Sequence, residues 1–140
     1  MRKFLISIAV LLLSINLSFA ADYKIGDFGV KADGITLNTR AVQRAIDAVA
    51  ERGGGRLIFT PGRYLIGTIY VKSNVTLHLE RGATLLGSTN AFDYQMDKVC
   101  AWMSMIYAVR QENVAITGDG TIDGQGFKTA NSMLKYIQKG

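Results

Sequence analysis

Large apolar residues recur at every second position along three short stretches of this chain. In the first, Leu57 and Phe59 flank Ile58; in the second, Val75, Leu77 and Leu79 alternate with Thr76 and His78; in the third, Val114 and Ile116 alternate with Ala115 and Thr117. A period of two is that of a strand with one face buried, so the first set of each stretch is expected to point inward. After each stretch come a turn, a second short run and a glycine. Gly62 matches Gly82 and Gly67 matches Gly87, a repeat of 20 residues. A third copy, Asn113 to Gly124, places Gly120 38 residues after Gly82, close to two further periods, which makes Met103 to Val109 the expected intervening copy. Short strands at fixed spacing with no helix between them predict an all-β solenoid, a parallel β-helix of three to four coils.

The pattern changes period upstream. Between Thr39 and Arg52, Val42, Ala45, Ile46 and Val49 fall on one face of a helix, with Arg40, Arg44, Asp47 and Glu51 elsewhere. Asn38 is placed to N-cap this helix, and Leu37 and Val42 hold the positions of a hydrophobic staple. Gly53-Gly54-Gly55 supplies the left-handed conformers that stop it. A β-helix ends in an open stack of apolar side chains and strand edges, so a helix here predicts an N-terminal cap. After Gly126, the spacing of Ala130, Met133, Leu134 and Ile137 predicts a second short helix to Lys139.

The first 20 residues stand apart. Arg2 and Lys3 precede an apolar run from Phe4 to Leu13, and Ser18-Phe19-Ala20 offers a small-x-small cleavage site. The run is too short to span a bilayer and reads as a secretory signal peptide, leaving residues 21–140 as an exported chain, secreted or periplasmic, with no membrane segment. Loss of Arg2 and Lys3 lowers the formal charge from +5 to +3, far from the profile of a nucleic-acid binder. Cys100 is the single cysteine, which forbids an internal disulfide and suits a buried small side chain.

Several residues invite a chemical reading and have a plainer one. His78, the only histidine, sits on the outer face of its strand between two inward leucines. Asp119 and Asp123 raise the paired-carboxylate question, yet each opens an Asp-Gly turn. Asn74 and Asn113 open equivalent coils and are suited to bond to each other across a solenoid turn; Asn74-Val75-Thr76 is also a glycosylation sequon. The eleven acidic residues are scattered, which provides no metal site and no expected cofactor. From Ser88 to Trp102 the repeat lapses into a projecting loop, where Phe92, Tyr94 and Trp102 are candidates to stack on sugars.

Read together, the motifs resemble the N-terminal part of glycoside hydrolase family 28, the polygalacturonases and rhamnogalacturonases. They are Tyr23 to Val30, Ala32-Asp33-Gly34, Asn38-Thr39, Gln43 to Ala48, Gly53-Gly54-Gly55, Pro61-Gly62-Arg63-Tyr64, Lys72 to Val75, Gly82-Ala83 and Gly118 to Gly124. The resemblance implies a right-handed parallel β-helix of the pectate-lyase-like group and hydrolysis of galacturonide links in pectin, an acidic plant polysaccharide. The family's catalytic aspartates, histidine, arginine and lysine lie in Asn-Thr-Asp, Asp-Asp, Gly-His-Gly and Arg-Ile-Lys motifs. None occurs here, since Asn38-Thr39 is followed by Arg40, no two aspartates adjoin and His78 lies between leucines. No catalytic residue is therefore carried over. The expectation is the cap and first coils of a pectin-degrading enzyme, ending before the active site and inactive alone. The alternative is a finished, non-catalytic β-helix module for polysaccharide binding or assembly.

Overall fold

The computed structural model of the protein describes residues 20–95 and 104–139. The proposed signal peptide up to Phe19, Cys100 and Trp102 lie outside the described residues.

The architecture is a right-handed parallel β-helix whose rungs stack in two four-stranded sheets. The first sheet runs β1 (Asp22–Lys24), β3 (Gly55–Phe59), β6 (Val75–Leu79) and β9 (Ala115–Gly118). The second runs β2 (Asp33–Leu37), β4 (Gly62–Ile66), β7 (Ala83–Gly87) and β10 (Thr121–Asp123). A two-stranded third sheet pairs β5 (Ile69–Tyr70) with β8 (Ile106–Tyr107), and every pair is parallel. Among the described residues the rungs number four, within the expected three to four, but the one that β1 and β2 form stands in place of the copy expected at Met103 to Val109.

In-register stacking explains the alternation. Leu57 pairs with Leu77 and Leu77 with Ile116, so one inward row is continuous through three rungs. Leu57, Phe59, Val75, Leu77 and Leu79 are buried, each worth about 1.5–3 kcal/mol by removal from water. Tyr64, Ile66 and Leu85 close the core from the second sheet, and Tyr64 meets Phe59 edge to face with ring centroids 5.2 Å apart. Tyr64 keeps its polar tip satisfied by donating to the Thr60 carbonyl at 2.8 Å. Ile116 shares the inward row but is 45% exposed, because β9 forms the last rung of its sheet.

Two expectations about the repeat are corrected. The first sheet keeps the 20-residue period, with Gly55 opposite Val75, but the second pairs Gly62 with Ala83 and Ile66 with Gly87. The turn between β6 and β7 holds three residues, Glu80 to Gly82, where Thr60-Pro61 holds two, and this extra residue shifts the glycines out of register. Nor is Met103 to Val109 an intervening coil. β6 pairs directly with β9, and Ile106–Tyr107 lies beside Ile69–Tyr70 in the third sheet, so residues 75–114 make one long coil with an insertion.

Helix α1 (Thr39–Glu51) buries Val42, Ala45, Ile46 and Val49 against the core and covers its N-terminal end. Gln43 ties it to the third sheet like a strand: Nε2 donates to the Tyr70 carbonyl at 3.0 Å and Oε1 accepts from the Tyr70 N–H at 2.8 Å. Thr39 Oγ1 likewise accepts from the Gly67 N–H at 2.8 Å. The helix thus satisfies backbone groups that an open edge would expose. Asn38 holds the N-cap position, but its side chain makes no cap bond. It is 2% exposed and clips the preceding loop, accepting from the Lys31 N–H at 2.9 Å and donating to the carbonyls of Lys31 and Thr36 at 2.7 and 3.0 Å. Leu37, at the staple position, remains half exposed. Helix α2 (Gly126–Lys139) follows β10 as its spacing predicts.

Candidate functional site: the outer faces of the rungs

Where the core claims alternate positions, the others face outward, and the candidate chemistry lies there. On the first sheet, Arg56 forks onto Asp22 with two bonds of 2.7 Å, the Arg56 guanidinium holding the Asp22 carboxyl below its usual range. His78 faces outward as its spacing predicts, with Nδ1 2.8 Å from Thr117 Oγ1 on the next rung. Asn74 and Asn113, both at positive φ, also stack as expected, Asn113 Nδ2 donating to Asn74 Oδ1 at 3.1 Å. Gly54 continues this row one rung below. A Cβ there would run into the Asn74 backbone, so the ladder begins with a glycine.

Six of the described aspartates are engaged in structural tasks, Asp22 among them. Asp47 pairs with Lys72 at 2.9 Å, Asp93 binds the hydroxyl of buried Ser88, and Asp123 accepts from the Gln125 N–H at 2.9 Å. Asp119 lies in its turn, 3.8 Å from Arg81. Asp33 accepts from the Thr36 hydroxyl at 2.6 Å and from the N–H groups of Thr36 and Ile35 at 2.8 and 2.9 Å; the hydroxyl above all lowers its pKa to about 2. Such surroundings favour the ionised form, the opposite of what a general acid needs. Among the described residues no group of three His, Cys, Asp or Glu side chains could hold a metal ion.

The aromatic candidates separate. Tyr94 is part-buried and donates to the Ser88 carbonyl at 2.7 Å; burial pushes its pKa up, and its hydroxyl serves the loop. Phe92 is 77% exposed on a 3₁₀ turn at Ala91–Asp93, while Trp102 is outside the described residues.

A concavity that the sequence does not advertise lies on the outer face of the second sheet, about 560 Å³ in volume. Its floor is Leu65 and Leu86, outward-facing register partners on β4 and β7. Arg63 and Ile35 stand on one side, and Gln125 and Lys128 on the other, where α2 begins. Gln125 Nε2 holds that side in place by donating to the Gly87 carbonyl at 2.7 Å. The signal lay in Asp33-Gly34 and Arg63, which register pairing across the rung brings together.

No protein-family model matches the chain. Over 137 residues it is 40% identical to the exo-poly-alpha-D-galacturonosidase of Dickeya chrysanthemi, covering 81% of this chain and 22% of that protein. A solved structure from Parabacteroides merdae, classed provisionally as a glycosyl hydrolase, superposes with a TM-score of 0.78 at 45% identity, covering 85% of this chain and 51% of the other. The family 28 exopolygalacturonase of Yersinia enterocolitica superposes with a TM-score of 0.63 at 37% identity, over 74% of this chain and 20% of the other. The chain therefore spans roughly a fifth to a half of the proteins it resembles. Among the described residues no helix is long and apolar enough to cross a membrane.

Proposed function

We propose that this chain, a homologue of the N-terminal portion of glycoside hydrolase family 28, is the capping helix and first coils of an exported enzyme that hydrolyses glycosidic bonds in pectin-type polysaccharide. Residues 1–20 are its signal peptide, and residues 21–140 its opening β-helix coils. The observation that carries this reading is the identity of 40% with a galacturonosidase over 137 residues, on a chain that stacks in register as a parallel β-helix.

The division of labour follows from the carboxylates. Glycoside hydrolysis needs an acid with raised pKa and a second carboxylate across the bond. Here Asp22 and Asp33 are held low, and Asp47, Asp93 and Asp123 are tied to partners. This portion serves as scaffold: it nucleates the stack, covers its N-terminal end and fixes the register of the coils that follow.

The test is to sequence the coding DNA past the codon for Gly140 and to assay two products against polygalacturonate. Residues 21–140 alone are expected to release no reducing ends. A frame that continues, with Asn-Thr-Asp, Asp-Asp, Gly-His-Gly and Arg-Ile-Lys behind Gly140, is expected to encode a protein that releases them. A stop codon with nothing related downstream overturns the reading in favour of a binding module.

A further inference from the structure

We propose that α2 is a membrane-surface helix, which lies on an anionic lipid bilayer with Phe127, Leu134 and Ile137 at the boundary of headgroups and acyl chains.

α2 faces the wrong way for a helix of the core. An amphipathic helix in a folded domain ordinarily turns its apolar stripe inward, as α1 does with Val42, Ala45, Ile46 and Val49. On α2 the half-buried residues are Thr129, Ser132 and Met133, whereas Phe127, Leu134 and Ile137 are 83%, 54% and 74% exposed. Its attachment to the stack is correspondingly polar. Gln125 Nε2 donates to the Gly87 carbonyl at 2.7 Å and the Thr129 hydroxyl to the Ser88 carbonyl at 3.4 Å, where α2 meets the 3₁₀ turn at Ala91–Asp93. A helix turns about 100° per residue, so Phe127, Ala130, Leu134 and Ile137 share an arc of about 80°. The residues facing the stack centre roughly 130° away round the axis, which leaves the apolar strip clear of the protein body.

Charge decides what covers the strip. α2 carries three lysines, Lys128, Lys135 and Lys139, and no acidic residue. Lys128 and Lys135 are exposed and lie on the other side of the axis from the strip. A helix with an apolar strip and a cationic polar face settles in the interface of a bilayer, where anionic headgroups attract the lysines. The same helix of a second copy would instead set lysine against lysine. With 14 residues α2 reaches about 21 Å, short of a hydrocarbon core of about 30 Å, so it lies on a membrane and does not cross one. The inference goes beyond the proposed function and does not rest on it, since a helix on this outer surface is compatible with hydrolysis or with none.

The test is co-sedimentation of the exported chain, residues 21–140, with lipid vesicles, so that the apolar run from Phe4 to Leu13 contributes nothing. One set of vesicles is phosphatidylcholine alone, and the other is phosphatidylcholine and phosphatidylglycerol in equal parts. The chain is expected to bind the mixed vesicles at least about tenfold more tightly than the neutral ones, and to be released as salt rises. L134Q and I137Q are each expected to weaken binding about tenfold, and K128Q and K135Q about fivefold each. All four side chains are exposed, so thermal unfolding and helical circular dichroism should stay unchanged. I116Q, at the open last rung, is expected to bind like the parent. Absence of binding to the mixed vesicles, equal binding to both kinds, binding untouched by L134Q and I137Q, or binding lost in I116Q overturns the proposal. A lipid-free dimer that L134Q dissociates also overturns it, by giving the strip to a second copy.

Discussion

Asn38 separates two accounts of how the capping helix is attached. As an N-cap, its side chain would bond to the first turn of α1, and replacement by Asp, an equally good cap, would cost almost nothing. In the structure it bonds to Lys31 and Thr36 instead, with one accepted and two donated hydrogen bonds, and it is buried. At about 1 kcal/mol each, three lost bonds put N38A at about 3 kcal/mol. N38D keeps the acceptor, loses both donated bonds and sets a buried carboxylate against two carbonyl oxygens, so it should cost about 3 kcal/mol or more. Urea unfolding at pH 7 measures both, read from the midpoint at constant slope. The pH dependence has a definite sign. Burial and the carbonyls raise the introduced carboxyl's pKa above its unfolded value of about 4, so the folded state gains from protonation. The deficit of N38D is therefore present at neutral pH and shrinks as pH falls towards about 4, where the protonated group regains a donor. A loss below about 0.5 kcal/mol for N38D, flat with pH, would refute the clip and restore the cap.

Three further outcomes are expected. Leu77 is fully buried between Leu57 and Ile116, so L77A should cost about 3 kcal/mol in urea unfolding, and I116A, at a half-exposed position of the same row, about 1 kcal/mol or less; equal losses would deny the rung order. The Asp33 carboxyl should titrate by NMR near pH 2, and T36V should move it towards 3.8 by removing its strongest partner. Its folded pKa is depressed, so the contribution of this turn to stability is present above about pH 4 and lost as pH falls through about 2. Ile116 and Ile122 leave the last rung half exposed, so the chain should unfold at a temperature that depends on its concentration, and I116K should remove that dependence; a sharp, concentration-independent monomer transition in the parent chain would contradict this.

What could be read from the chain alone follows from what stacking repeats. An inward position must match the rung above and below, so Leu57, Leu77 and Ile116 announce themselves, and the apolar face of α1 does the same at its own period. Asn74 and Asn113 were legible because an unshared turn amide at one rung is satisfied by its copy at the next. Insertions were not legible. One residue in the turn from Glu80 to Gly82 moves the second sheet off the 20-residue period without touching the first, and the spacing of the glycines is the same on both sides of that slip. The place of Ile106–Tyr107 is illegible for a similar reason: two residues carry too little pattern to distinguish a new rung from the extension of an old one. The concavity on the second sheet was hidden because its parts come from β2, β4, β7 and the start of α2, and no local motif joins Gly34 to Arg63 or Leu86 to Lys128.

The irregularities and the candidate chemistry coincide, and the solenoid gives a reason. Inward residues are constrained by two neighbouring rungs, so a change there is felt as a cavity or a clash. Outward residues pair only along the ladder, and a regular ladder tends to neutralise them, as Asp22 and Arg56 do on the first sheet. On the second sheet a cation is left without its register partner where the ladder is broken. The bulge between Asp33 and Leu37 does this by turning Asp33 onto Thr36, so the same local event that disrupts register frees Arg63.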